Sequence, residues 1–136
     1  VDGKPAARNN AIMGGMVAAL SDEDMRNLAA WFSSQKPKPA VARDESKIAL
    51  GQKLWRQGDF KKGIPACAGC HGPAGAGLPA QYPRLSGQYA EYTEAQLKAF
   101  RGDERDNDPE KMMRTIAAKM SDAEIKAVAE YAAGLR

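Results

Sequence analysis

The sequence has no long apolar run, no secretory signal and no block of basic residues. Without a stretch near the roughly 18 apolar residues that a membrane span needs, no transmembrane helix is predicted. The missing signal and a start at Val1 rather than Met lead us to expect a segment processed or cut from a longer chain. The formal charge of +3 is spread over mixed acidic and basic residues without interleaved aromatics, so nucleic-acid binding is not predicted.

Histidine and cysteine are also scarce, because the one histidine and both cysteines fall within the stretch CAGCHG, from Cys67 to Gly72. A structural zinc site needs four such ligands and only three exist, so zinc binding is disfavoured. A thioredoxin-like redox pair needs a βαβ context that the sequence does not indicate. A plain disulfide between Cys67 and Cys70, with His71 a bystander, is a third alternative.

The pattern C-x-x-C-H is the attachment signature of c-type haem. In that chemistry two thioether bonds hold the porphyrin edge, and the adjacent histidine provides one axial nitrogen to the iron. The two-residue spacer puts the sulfurs of Cys67 and Cys70 on the same side of one helical turn, from which His71 projects toward the metal. Covalent haem is therefore the favoured interpretation of this motif.

The sequence repeats itself at an offset of 100 residues, so that Met13–Phe32 aligns with Met113–Ala132. In each copy a serine, Ser21 or Ser121, precedes an apolar stripe with helical spacing and has an acidic residue three positions later, as in a capping box. A strict box has Glu or Gln at that third position, so the first copy, with Asp24, fits less well. A period of this length indicates two related domains rather than a solenoid of short repeats.

These features predict three parts of the chain. Residues 1–36 are interpreted as the C-terminal helical remnant of a first domain, because nothing before Met13 provides a counterpart of the Cys67–His71 region. Residues 37–45, polar and proline-containing, are predicted to be a linker. Residues 46–136 are predicted to form a complete second domain.

No alternating strand pattern stands out, so the second domain is predicted to be all-α. Helices are expected near Ser46–Gln57 and Tyr89–Arg101, and a last helix is expected after Ser121. Met113 is expected in a loop just before that last helix. The glycine-rich stretch after His71 is long for a loop in so small a domain, and it becomes reasonable if it wraps around a group that is not polypeptide.

The second axial ligand of a bound haem has to be a residue other than cysteine or histidine, because the motif uses all of them. Methionine, tyrosine, lysine or an open position are the candidates, and a methionine thioether suits electron-transfer cytochromes. Met113 is favoured because it recurs as Met13 at the equivalent position of the repeat, and Met112 is its nearest competitor. Met25 and Met120 fit the apolar pattern and are assigned to packing.

The stretches CAGCHG, YPRLSGQ and MMRTIAAKMSDAEIKAVAEYAAGL together resemble the second domain of the di-haem cytochrome c4 family. The stretch IMGGMVAALSDEDMRNLAAWFSSQKP resembles the end of the first domain of that family. The resemblance implies class I cytochrome c domains, each wrapped around one haem c held between a histidine and a methionine. This sequence has one C-x-x-C-H motif where the family has two, so one covalent haem is expected on this chain. A second haem is expected only in an intact two-domain parent, and Met13 is then its orphan ligand.

Position by position, the resemblance makes Cys67 and Cys70 the thioether residues, His71 the proximal ligand and Met113 the distal ligand. It also implies that the Pro83 carbonyl accepts the His71 Nδ1–H, which sets the orientation of the ring.

The resemblance implies roles for three further residues. Arg84 is placed where the haem propionates of the family lie, which makes it a proposed charge partner. Gly51 and Trp55 match positions on the first helix of the domain that cross the last helix near Tyr131, where a missing Cβ permits close approach. These two positions and Tyr131 are assigned to packing.

The function implied by the resemblance is a periplasmic one-electron carrier in a respiratory chain, and not an enzyme. Its partners would be a terminal oxidase and an upstream cytochrome or quinol oxidoreductase, through which it associates with the inner membrane. Lys61, Lys62 and Arg84 are candidate docking charges. Residues 1–36 are expected to dock on the missing half-domain or on a neighbouring chain, because their amphipathic helix otherwise exposes apolar side chains. Two alternatives are a haem subunit or domain of a larger oxidoreductase, and a gas-binding or sensor protein with an open distal site.

Overall fold

The computed structural model describes residues 10–36, 41–79 and 81–135. Regular structure in these ranges is helical, with seven α-helices and two single turns of 3-10 helix. Extended backbone pairing is limited, among the same residues, to two isolated bridges at Asp59–Ile64 and Leu78–Tyr82. The predicted all-α fold is confirmed. No helix in the described ranges has both the length and the apolar character needed to cross a membrane.

The chain forms two compact units, Val1–Pro37 and Lys38–Arg136. Residues 1–9 of the predicted first part and 37–40 of the predicted linker lie outside the described residues. In the described part of that linker, the Arg43 backbone N–H donates to a carboxylate of the last helix at 2.9 Å. Backbone just before the predicted start of the second domain is therefore already bonded to that domain.

The first unit contains helices α1 (Ala11–Val17) and α2 (Asp22–Ser34), and none of their residues is buried. A complete capping box starts α2, because Ser21 Oγ accepts the Asp24 N–H and the Asp24 carboxylate accepts the Ser21 N–H at 3.0 Å. Asp24 is shorter than the Glu or Gln of a strict box and was expected to fit less well, but its carboxylate still reaches the Ser21 backbone N–H. Met25, assigned to packing from the sequence, is only half-buried.

The second unit contains the remaining helices, which are α3 (Ile48–Gln57), α4 (Ala68–His71), α5 (Ala90–Arg101), α6 (Met112–Ala117) and α7 (Asp122–Ala133), with 3-10 turns at Glu45–Lys47 and Pro109–Lys111. Helices α3 and α5 both pack against α7, and α5 also packs against α6. The helices expected near residues 46–57 and 89–101 are present. The loop expected around Met113 is wrong, because this segment is helix α6. Its sequence, MMRTIA, has no glycine or proline to interrupt a helix once the first turn is held.

The core of the second unit is formed where α3, α5 and α7 meet. Its buried apolar residues are Leu54, Trp55, Ile64, Leu97, Met120, Ile125, Val128 and Ala132. The packing role predicted for Met120 and for the apolar stripe of α7 is therefore confirmed. This core is the support on which the functional residues described below are placed.

The carboxylate of Glu124 fixes the start of α7 and ties it to the loop before α4. It accepts hydrogen bonds from the Ser121 N–H at 2.8 Å and from Lys62 Nζ at 2.8 and 2.9 Å. Burial by itself raises the pKa of this carboxyl, but the Lys62 ammonium and the Ser121 hydroxyl and N–H outweigh burial and lower the pKa to about 2. Lys62, predicted as a docking charge, is thus engaged in an ion pair within the fold.

Replacing this carboxylate by an amide, Glu124→Gln, is expected to lower the free energy of unfolding by about 1–2 kcal/mol at about pH 7. The figure is modest because solvent screens the exposed Lys62 ammonium. A carboxyl whose pKa is lowered by folding stabilises the protein above its unfolded pKa, so this contribution disappears as the pH falls from about 4.5 toward about 2. Urea titrations at about pH 7 and at about pH 2 measure the difference.

The matched control for Glu124→Gln is Glu94→Gln, which removes a carboxylate bonded to Lys98 at 2.6 Å but caps no helix. It is expected to cost much less stability at either pH. A Glu124→Gln loss of equal size at neutral and acid pH would contradict the assigned role of the ionised carboxylate.

Candidate functional site

The C-x-x-C-H motif occupies the single turn of α4 and the residue before it. The carbonyl of Cys67 accepts the His71 N–H at 2.9 Å, which closes one helical turn around the motif. Cys67 and Cys70 are three residues apart on this turn, so their side chains share one side of it. Both are half-buried, and neither is part of a disulfide.

The Cys67 thiol does not have the character of a redox-active thiolate. Burial raises the pKa of Cys67 to about 11, with a smaller contribution from the neighbouring Cys70. Reactive cysteines of thioredoxin-like pairs have lowered pKa values instead. The environment of Cys67 therefore argues against the alternative of a thioredoxin-like pair.

His71 is held in one orientation by the carbonyl of Pro83. The residue is 7% exposed, and its Nδ1 lies 3.0 Å from Pro83 O. A carbonyl oxygen only accepts hydrogen bonds, so Nδ1 carries the proton and Nε2 keeps its lone pair. Burial lowers the pKa of His71 more than the bond to Pro83 raises it, so the ring is neutral at pH 7. A neutral imidazole with Nδ1–H bonded to a carbonyl is the usual form of a histidine that ligates metal through Nε2.

The loop after the motif folds back so that Pro83 reaches His71. Gly77 donates its N–H to His71 O at 2.9 Å, and it has a positive φ of 77°. A Cβ at Gly77 would lie 2.6 Å from both Tyr82 O and Arg84 N, so the return path of the loop requires glycine here. This tight passage sets the position of Pro83.

Trp55 anchors the same loop from the core. Its indole Nε1–H donates to Pro73 O at 3.1 Å, and its ring centroid lies 6.4 Å from that of His71. The Tyr82 ring also contacts the His71 ring, edge-on, with the two ring centroids 6.2 Å apart. The sequence assigned Trp55 to packing alone and missed these contacts. The only available signal was that a buried indole N–H needs an acceptor.

The methionines considered as ligands lie in different environments. Met113 is half-buried and packs against the core cluster that Cys67 and Ala68 also contact. Met112, its neighbour on α6, is 38% exposed. Met13, on α1 in the first unit, is 54% exposed.

Arg84 directly follows Pro83 in the loop after the C-x-x-C-H motif and lies on the surface. Its side chain is exposed, and its Nε donates to Ser86 O at a long 3.4 Å. It forms no ion pair with any residue in the described part of the chain. Its guanidinium differs in this respect from that of Arg114, which bonds two aspartates.

These residues fit a covalently attached haem. Two thiols share one helical turn, a neutral histidine beside them keeps Nε2 for a metal, and a methionine thioether packs on the same core. An all-α unit with this donor set is a c-type cytochrome domain.

Comparison with known proteins gives the family. The model of the family described as Cytochrome c matches residues 48–135. The chain therefore belongs to the cytochrome c family, and among its members to the cytochromes c4. It carries covalently bound haem c, as predicted from the motif.

Individual relatives show how much of the chain is shared. It is 49% identical over 125 residues to a cytochrome c4 of Azotobacter vinelandii, with 90% of this chain and 59% of that protein covered. It is 45% identical over 129 residues to a protein of Thiomonas intermedia (strain K12) named thiosulfate dehydrogenase electron acceptor, with 93% and 59% covered. The crystal structure of reduced recombinant cytochrome c4 from Pseudomonas stutzeri matches with a TM-score of 0.86 at 43% identity, covering 98% of this chain and 72% of that one. The chain thus spans 59% of the length of the Azotobacter and Thiomonas relatives.

Proposed function

We propose that the chain carries one electron at a time between proteins of the bacterial periplasm. In this proposal Cys67 and Cys70 hold the haem through thioether bonds, His71 is the proximal ligand and Met113 is the distal ligand. In a respiratory chain, these electrons would pass toward a terminal oxidase.

The observation that carries this proposal is the arrangement of His71. Its Nδ1–H is committed to Pro83 at 3.0 Å, its ring is buried, and it directly follows the turn that bears both thiols. No other histidine exists in the sequence. This one is already oriented, neutral and able to donate through Nε2.

Haem iron supplies a reversible one-electron change between its ferrous and ferric states. The contribution of the polypeptide is to hold both axial side chains in the same place in the two states. Pro83 restrains His71, and the core cluster restrains Met113. With His71 Nε2 and the Met113 thioether both committed to the iron, no position would be left for a substrate, which favours a carrier over an enzyme or a gas sensor.

Arg84 is proposed to pair with the haem propionates. Its exposed guanidinium has only the long contact with Ser86 O and forms no ion pair with the described residues. Arginine binds carboxylates through two parallel hydrogen bonds, which suits a propionate.

Residues 1–36 are proposed to be the end of another cytochrome domain, with Met13 as a ligand of its haem. The described part of this segment exposes large apolar side chains, namely Ile12, Met13, Met16, Val17, Leu28, Trp31 and Phe32. So many apolar residues exceed the single ones scattered over ordinary surfaces. They are expected to pack on the haem-bearing part of that domain or on a neighbouring chain.

The redox partners proposed are an upstream cytochrome or quinol oxidoreductase as donor and a terminal oxidase as acceptor, all reached from the periplasm. A second candidate role is the electron acceptor of a dedicated dehydrogenase. It is favoured by the 45% identity to a protein named thiosulfate dehydrogenase electron acceptor. Rates of reduction by a purified thiosulfate dehydrogenase and by a quinol-oxidising complex distinguish the two roles.

The ligand assignment predicts that Met113→Leu removes the weak absorption band near the red end of the visible spectrum of the oxidised protein. That band reports an iron–thioether bond, which leucine cannot form. The reduced variant is also expected to bind carbon monoxide readily, whereas the unmodified protein is not. Absorption spectra of both oxidation states, with and without carbon monoxide, make the measurement.

Met112→Leu is the matched control, because the same substitution is made one residue away at an exposed position. It is expected to keep the band and to resist carbon monoxide. Loss of the band in this variant alone would assign the distal ligand to Met112. An unmodified protein that lacks the band and binds carbon monoxide would favour the sensor alternative.

A further inference from the structure

Helix α6, which carries Met113, begins without a side-chain cap from its own N-cap residue. Lys111 occupies that position and makes no hydrogen bond to the helix amides. The first amides of any helix lack intrahelical acceptors, so another group has to serve. Asp108 does so, since its Oδ2 accepts the Arg114 N–H at 2.9 Å. This N–H belongs to the peptide bond that joins Met113 to Arg114, so Asp108 fixes the backbone directly after Met113.

The side chain of Arg114 returns to the same turn. Its Nε donates to Asp108 Oδ1 at 2.8 Å, its Nη1 to Asp103 Oδ1 at 3.1 Å and its Nη2 to Asp106 O at 3.2 Å. Asp108 therefore has both oxygens bonded to one residue, and its side chain is only 4% exposed. Charge-assisted bonds in such a shielded place are stronger than those of exposed ion pairs.

The turn that this pair holds is strained. Glu110 and Lys111 have φ values of 51° and 56°, in the left-handed region that residues with a Cβ seldom adopt. Asp103, which accepts from Nη1, has a φ of 57°. Such conformations persist where the surrounding structure imposes them. Because the two strained residues at 110 and 111 directly precede α6, relaxation of the turn would shift the start of that helix.

The equivalent segment of the first unit is held in another way. There Asn10 Oδ1 accepts the Met13 N–H at 2.9 Å, and the residue aligned with Arg114 is Gly14. A helical turn bearing the repeated methionine therefore forms without an arginine. Of the two repeats, only the one that carries Met113 has the Asp108–Arg114 pair around its methionine.

We propose that Asp108 and Arg114 are positioning residues that keep the Met113 thioether on the haem iron by preventing the turn at 103–111 from relaxing. The inference rests on the proposed function, in which Met113 is the distal ligand. The pair acts through the backbone on both sides of Met113. It slows departure of the thioether and so preserves the closed coordination that a one-electron carrier needs.

Imidazole added to the oxidised protein tests this role, because it binds the iron only when the distal ligand leaves. In the full chain with its haem, Arg114→Gln is expected to raise the rate of imidazole binding at saturating concentration about tenfold or more, since charge-assisted bonds are lost. Asp103→Asn removes only the carboxylate that accepts from Arg114 Nη1. Because the Asp103 side chain is 77% exposed, this variant is expected to give a smaller increase. It provides a second test if the arginine variant does not fold.

Arg101→Gln is the matched control for the imidazole experiment. It removes an arginine that donates to Asp122 at 2.6 Å and to a backbone carbonyl, outside the turn before α6. Its imidazole rate is expected to equal that of the unmodified protein. Amide hydrogen exchange gives a second readout, in which the amide of residue 114 is expected to exchange about tenfold faster in Arg114→Gln.

The outcomes separate this inference from the function on which it rests. Imidazole rates in Arg114→Gln and Asp103→Asn equal to that of Arg101→Gln, with the iron–thioether band intact, would overturn the positioning role alone. A missing band in the unmodified protein would instead remove the assignment of Met113 itself. Retained protection of the amide at 114 in Arg114→Gln would also count against the positioning role.

Discussion

Alanine at both Cys67 and Cys70 is expected to give a protein whose denatured mass contains no haem. The unmodified protein is expected to exceed the mass of its 14.6 kDa polypeptide by one haem. The axial bonds from His71 and Met113 break under denaturing conditions, whereas thioether bonds survive them. Each single variant retains one thiol and is expected to keep part of its haem. Intact-mass measurement after denaturation makes the comparison.

Gly69→Ala is the control for this experiment, because Gly69 lies between the two cysteines. A Cβ there would meet no described atom within 4 Å, so the turn should form unchanged. Its mass is expected to include the haem. An unmodified protein with a bare polypeptide mass, and with two thiols that an alkylating reagent modifies, would contradict the assignment. The alkylation needs denaturant, because burial raises the pKa of Cys67 to about 11.

The motif could be predicted from the sequence because its geometry is local. One helical turn brings Cys67, Cys70 and His71 together whatever the rest of the chain does. The bond from His71 to Pro83 spans twelve residues and depends on the loop passing through Gly77. Local patterns carry no information about such a closure, so this contact was predicted only through the family resemblance.

Predictions failed where the deciding partner is distant or the conformation is unusual. The ion pair of Lys62 was not predicted, because its carboxylate partner is 62 residues away on α7. The segment around Met113 was expected to be a loop, because nothing in the sequence shows that Asp108 caps the helix from six residues back. The left-handed conformation of Lys111 could not be predicted either, because lysine is not a residue type that favours a positive φ.

The helix crossing predicted at Gly51 has a large expected effect on stability. A Cβ at this position would lie 2.1 Å from Ala127 O and 2.7 Å from Tyr131 Cβ. The α7 backbone is poorly placed to retreat, because its neighbouring side chains fill the core. Gly51→Ala is therefore expected to lower the free energy of unfolding by about 3 kcal/mol. Urea titration of the haem-bearing protein measures this loss.

Gly14→Ala serves as the control, because a Cβ there would meet no described atom within 4 Å. Alanine favours a helix over glycine by about 0.5–1 kcal/mol, so this variant is expected to be no less stable than the unmodified protein. A comparable loss in both variants would mean that alanine itself, and not the close approach, is responsible.

Because Trp55 lies one turn beyond Gly51 and bonds Pro73 in the loop that follows the haem motif, the Gly51 variant is also expected to loosen that loop. Faster hydrogen exchange in the loop would then accompany the loss of stability, whereas unchanged exchange would show that the crossing and the haem site are independent.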